Sequence, residues 1–146
     1  MLGYYGYATS AFGKDHNTPV DQLANGPYDR TPTGRGFDYF YGFIAGETSQ
    51  WEPTLWENTT PISPPHVENY EDFHVTEAMA DKAITWMRRH LALNPDRPFL
   101  VWWTPGAVHA PHHVAHFSKT TTRPSNEGGV SPSWFTYPDG VNAGAF

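Results

Sequence analysis

The sequence predicts an α/β fold, with a parallel sheet, a flanking helix and long loops. Three observations carry this. A strand-like stretch, Tyr7 to Phe12, lies near the start of the chain. A helical apolar stripe runs through residues 75–93. A continuous apolar run, Phe99-Leu100-Val101-Trp102-Trp103, follows that helix after a short link from Asn94 to Pro98. Strand, helix and strand in succession imply parallel strands joined by a crossover.

Composition bounds the rest. The 146 residues include 13 Gly and 14 Pro, too much punctuation for a helical bundle or coiled coil. Aromatic residues make up 16%, enough to anchor a packed core. The net charge of −6 disfavours a general nucleic-acid or anionic-membrane surface. No apolar run approaches the roughly 18–20 residues of a membrane span. The first residues, Met1 to Ser10, show neither a basic segment nor a long apolar one, so no signal peptide is expected from them. With no Cys, the chain has no disulfide, thiolate ligand or Cys nucleophile.

The elements follow in order. The first strand runs out into Gly13-Lys14-Asp15-His16. Residues 17–72 show little periodicity and many prolines, and Phe37 to Phe43 is their best candidate for an ordered piece. The helix places Ala80, Ala83, Ile84, Met87 and Leu91 on one stripe. Thr76 is expected to cap its start and Asn94-Pro95 to stop it. Glu77 and Asp81 near its beginning, and Arg88, Arg89 and His90 near its end, suit the helix dipole. The run from Phe99 reads as a strand covered on both faces, with Trp102 and Trp103 in the core. Tyr4, Tyr5 and Tyr7 read as buried entry residues. Residues 1–118 form the expected domain, and 119–146 a divergent tail expected to be poorly ordered.

Ligands in open α/β sheets bind beyond the carboxyl ends of the strands. If the two strands are parallel, Lys14, His16 and His109 open on one edge. One ammonium and two imidazoles suit a tetrahedral oxyanion. Lys14 beside Asp15 also has an ordinary reading as a solvated turn pair. Asp15 either faces the pocket, where it would weaken anion binding, or points away. His109, His112, His113 and His116 are spaced for zinc if helical, although Pro111 is a poor start for a helix. Gly3-Tyr4-Tyr5-Gly6 and Gly34-Arg35-Gly36 are too weak as phosphate loops, since neither is a Walker pattern. No G-x-S-x-G or H-E-x-x-H motif occurs.

These segments resemble one family. Gly6-Tyr7-Ala8-Thr9-Ser10-Ala11-Phe12-Gly13-Lys14-Asp15-His16 resembles the G-Y-x-T-A-x-x-G-K-W-H segment of the sulfatases. Pro32 to Phe43 resembles their G-F-D-x-F-Y-G segment. Pro98 to Trp103 and His109-Ala110-Pro111-His112 resemble their P-F-F-x-Y strand and T-H-x-P-H loop. Asn17-Thr18-Pro19 and Gln50-Trp51-Glu52-Pro53 look most like bacterial arylsulfatases.

The resemblance implies a partial alkaline-phosphatase-like fold and hydrolysis of a small-molecule sulfate ester. It implies that Lys14 contacts the sulfate and that His16 supports a formylglycine nucleophile. It also implies that His109 contacts the sulfate and the leaving oxygen, with His112 beside the substrate. The family's cofactors are calcium and the formylglycine made in a C/S-x-P-S-R motif. This chain has neither that motif nor the family's acidic metal ligands, so no metal ligand is assigned in it. The chain alone is therefore expected to be inactive, a central piece of the catalytic domain. The alternatives are a non-catalytic sulfate or phosphate binding module, a non-functional remnant, and a His-cluster zinc protein.

Overall fold

The computed structural model describes residues 2–65, 73–107 and 109–112. Three strands carry the parallel part of the sheet: β1 (Ala8–Asp15), β2 (Tyr39–Ile44) and β5 (Phe99–Thr104). Two short strands, β3 (Leu55–Glu57) and β4 (Thr60–Ile62), form an antiparallel hairpin beside β2. The order across the sheet is β4-β3-β2-β1-β5. β1 is parallel to both neighbours, as the strand, helix and strand pattern predicts. A short helix α1 (Gln22–Asn25) lies between β1 and β2, and α2 (Val75–Leu93) precedes β5.

Alternation along the strands divides the core into two layers. Phe12 of β1 and Tyr41 of β2 pack with Leu55, Phe73, Val75, Met79 and Ala83 on the α2 side. Ala11, Phe40, Ile44 and Trp56 face the other way, under Leu23 and Phe37. The central position of β1 explains its burial: seven of its eight residues are buried, and only Lys14 is half-exposed.

Several details differ from the sequence expectation. The α2 cap is His74, whose Nδ1 accepts the Thr76 N–H at 3.3 Å, and not the Thr76 side chain. The helix buries Val75, Met79, Ala83 and His90, whereas Ile84 and Leu91 face outward. Aromatic packing sets this rotation. Trp86 stacks on His90 at 5.5 Å, and both rings meet Phe99 edge-on. Two large rings that share a partner strand bury more surface than the aliphatic stripe would.

β5 pairs with β1 along one edge, and Trp102 and Trp103 are 55% and 41% exposed. The expected cover on both faces is therefore not seen among the described residues. An apolar run specifies a strand but not what lies over it. Tyr4 and Tyr5 are also exposed, because the opening 3-10 turn, Leu2–Tyr5, projects from the sheet. Within residues 17–72 the sequence reading located β2 but not α1 or the β3–β4 hairpin. The tail 119–146, His113 and His116 lie outside the described residues. Among the described residues, no helix is long and apolar enough to cross a membrane.

Candidate functional site

The carboxyl end of β1 is shaped by two glycines. Gly13 adopts φ +122°, and a Cβ there would stand 2.0 Å from the Thr104 carbonyl oxygen. A Cβ on Gly42 would stand 1.9 Å from the Gly13 carbonyl oxygen. Only glycine permits three backbones to approach this closely in that conformation. The strand therefore continues through Lys14 to Asp15, where the sequence reading placed a loop.

Thr104, the last residue of β5, lies across this junction. Its Oγ1 donates to the Lys14 carbonyl at 3.1 Å. Beyond it, Gly106 rests against Phe43, since a Cβ there would meet the ring at 2.5 Å. The loop then turns back, with the His109 N–H donating to the Gly106 carbonyl at 3.0 Å. That turn brings His109 to Lys14, 95 positions earlier in the chain. The ammonium nitrogen lies 3.3 Å from Nε2 and 3.5 Å from Nδ1 of the imidazole. Both side chains are half-buried.

His16 leans the other way. Its ring lies over Gly46, past the end of β2, with Cε1 3.2 Å from where a Cβ would be. Lys14 thus reaches toward the exit of β5 and His16 toward the exit of β2. His112 is exposed near the end of the described loop. Residues 109–112 are not helical; His113 and His116, the partners in the zinc spacing, lie outside the described residues.

Asp15 is buried, and its carboxylate is engaged in a turn. It accepts the Asn17 N–H at 3.1 Å, the Asn17 side-chain amide at 3.3 Å and the Thr18 hydroxyl. A carboxylate held by three donors competes weakly with an incoming anion for the neighbouring lysine.

Among the described residues, cavities lie at both ends of β1. One, of about 290 Å³, adjoins Lys14 and is also lined by Arg35, Asn17, Phe37, Trp102 and Thr104. Arg35, in the Gly34-Arg35-Gly36 segment, is not among the residues that the sequence points to. The larger cavity, about 430 Å³, lies by Ala8 at the opposite end of β1, among Tyr39, Glu57, Lys82, Trp86 and Arg89. There, burial and the Glu57 carboxylate it donates to push the Tyr39 hydroxyl far above its ordinary value. Burial, and then Glu57, raises Tyr41 as well. That cavity is remote from the strand ends where Lys14 and His109 meet.

Calcium requires six to eight oxygen ligands around one point. Among the described residues, no three His, Cys, Asp or Glu side chains are grouped to hold a metal ion. With its carboxylate committed to Asn17 and Thr18, Asp15 does not fit such a set either. The described residues do not fit the calcium that the resemblance implies.

Fold and site together describe an α/β domain that presents a cation and an imidazole beyond the ends of its parallel strands. The Sulfatase family model matches residues 1–129, and the chain belongs to the sulfatase family. Its sheet is part of that family's alkaline-phosphatase-like fold. It is 30% identical to an uncharacterized sulfatase, YdeN, of Escherichia coli (strain K12), over 74% of this chain and 21% of that protein. Among solved structures, it is similar to Ps i-CgsB in complex with k-i-k-neocarrahexaose, at a TM-score of 0.57 and 23% identity, over 75% of this chain and 26% of that one. A second structure of Ps i-CgsB matches at a TM-score of 0.54 and 22% identity, over 77% and 26%. The chain thus spans about a quarter of the length of these relatives or less.

Proposed function

We propose that this chain forms the oxyanion-holding wall of a sulfuric ester hydrolase site of the arylsulfatase type. The observation that carries the reading is the Lys14–His109 contact at 3.3 Å, made between the end of β1 and the loop that follows β5, at the carboxyl ends of parallel strands. A sulfate ester develops negative charge on its non-bridging oxygens and on its leaving oxygen as the S–O bond breaks. Lys14 offers a compact positive charge to the former, and the His109 ring offers an N–H to the latter. His16, on the β2 side, is the residue to which the resemblance gives the support of a nucleophile.

The nucleophile itself comes from outside this chain in our reading. The sequence has no Cys and no S-x-P-S-R segment from which a formylglycine could form. Covalent catalysis and cation stabilisation supply most of the barrier lowering in such a reaction. The isolated chain therefore binds sulfate without turning over an aryl sulfate in the presence of calcium. Calorimetric titration with inorganic sulfate and a hydrolysis assay on the same preparation test both halves. Lys14→Ala is expected to weaken sulfate binding about tenfold, the scale of one charge-assisted contact. Turnover by the isolated chain that disappears in Lys14→Ala would overturn the inactive half. Sulfate affinity unchanged by that substitution would overturn the site.

A second reading, a non-catalytic sulfate or phosphate binding module, is favoured by one observation: the cation and imidazole are assembled in a chain with no Cys to serve as nucleophile precursor. It is distinguished by adding the remainder of a sulfatase domain in trans. Restored hydrolysis supports the enzyme reading, and unaltered binding without hydrolysis supports the module.

A further inference from the structure

The larger cavity, at the amino end of β1, holds a cation that the fold does not use. Most of its charged groups are committed. Lys82 pairs with Glu57 at 3.5 Å and stands 5.0 Å from the centre of the Tyr41 ring. Glu57 also accepts the Tyr39 hydroxyl. Arg97 lies 3.8 Å from Asp38, and its Nε and Nη2 donate to the carbonyls of Gly6 and Tyr7 at 2.9 and 3.0 Å. Asp38 in turn accepts the Thr9 N–H at 2.9 Å. These two cations and two carboxylates hold the fold together, and their charges cancel.

Arg89 remains. It lines the cavity from α2, two turns after Lys82, and its charge acts on the Tyr39 hydroxyl of the facing sheet. Among the described residues its guanidinium makes no hydrogen bond and no ion pair. The wall beside it is apolar. Trp86 and Leu93 line the same cavity, one turn to either side of Arg89 on one helix face. The indole is held in place, because it stacks on His90 at 5.5 Å, and His90 Nε2 donates to the Arg97 carbonyl at 2.8 Å. Leu93 is 74% exposed, so its aliphatic surface is open to a guest.

We propose that this cavity binds a small aromatic monocarboxylate. The carboxylate pairs with the guanidinium of Arg89, whose forked donors match its two oxygens. The ring covers the apolar wall made by Trp86 and Leu93. A volume of about 430 Å³ lies in the range of small-molecule sites. With the two ion pairs neutral, Arg89 leaves the cavity one positive charge in excess, which a single carboxylate balances. An inorganic anion would leave the apolar wall wet, and a neutral ring would leave the guanidinium unanswered. The site lies at the other end of β1 from Lys14 and stands independently of the sulfate reading.

The test titrates the full chain by calorimetry with benzoate, 2-naphthoate, benzyl alcohol and inorganic phosphate. Both acids should saturate one site. Benzyl alcohol and phosphate should bind at least about tenfold more weakly, the scale of one charge-assisted contact. Arg89→Gln, a change on an exposed side chain, should weaken benzoate about tenfold and leave the melting temperature unaltered. Leu93→Ala, also exposed, should weaken 2-naphthoate. Lys14→Ala should leave both acids unaffected, which separates this cavity from the anion wall. Benzoate binding that survives Arg89→Gln, or that is lost in Lys14→Ala, overturns the inference. So does phosphate bound as tightly as benzoate, or no saturation by either acid up to about 10 mM. Each of these outcomes leaves the sulfate reading as it stands.

Discussion

The hydroxyl of Thr104 donates to the carbonyl of Lys14 at 3.1 Å, so the last residue of β5 holds the backbone of the proposed sulfate-binding lysine. That bond joins the ends of the two strands on which the site depends. Thr104→Val keeps the shape and removes the donor. The expected loss of stability is about 1 kcal/mol, the usual net worth of one such bond. Sulfate affinity should fall with it, because Lys14 loses its positioning. Urea unfolding and sulfate titration of the variant read the two effects, and unchanged values in both would remove Thr104 from the site.

Gly13→Ala is expected to be far more damaging. The new Cβ would lie 2.0 Å from a backbone oxygen, at a φ that side chains rarely adopt. Neither β1 nor β5 can yield without breaking the ladder, so a cost of about 3 kcal/mol or more is expected. A melting profile like that of the parent chain would contradict the close approach of the two strands.

The rotation of α2 separates two substitutions that the sequence stripe would rank in the opposite order. Met79 is fully buried against the sheet, while Leu91 is half-exposed. Met79→Ala should cost about 2–5 kcal/mol. Leu91→Ala should change stability by less than about 0.5 kcal/mol. Denaturant titrations of the pair decide between the two faces.

Tyr39 makes stability depend on alkaline pH. Burial, followed by its bond to Glu57, raises its hydroxyl above the ordinary value of 10.0. Between the unfolded and folded values the native state keeps the proton and the unfolded chain does not. Stability from this group is therefore complete below about pH 10 and declines as pH rises beyond it. Tyr41, raised in the same direction by burial, adds to the decline. In Tyr39→Phe the alkaline slope should be shallower, as measured by urea unfolding from pH 8 to 11. An identical slope would mean that the hydroxyl is not shielded by the sheet.

Much of this arrangement was legible in local sequence. The helix over 75–93, its stop at Asn94-Pro95 and the strand from Phe99 follow from periodicity and backbone chemistry. The parallel pairing of β1 and β5 follows from the helix between them. The sequence points to Lys14 and His109 because it places both just beyond strand ends, where such sheets bind ligands; in the structure Lys14 lies inside β1 and His109 lies beyond β5. The β3–β4 hairpin was not found, because three-residue strands carry too few side chains to show an alternation.

The sequence by itself determined which segments become strand and helix, because those choices rest on neighbours a few residues apart. Tertiary structure decided which face of α2 is buried, which strand lies at the edge of the sheet, and that Arg35 shares a cavity with Lys14. Each of these depends on contacts between residues far apart in the chain. Trp86 meets Phe99, Gly13 approaches the Thr104 carbonyl, and Arg35 lines one cavity with Lys14. Such contacts are set by the volumes and hydrogen bonds of surfaces that meet only when the chain is folded, so no local pattern records them.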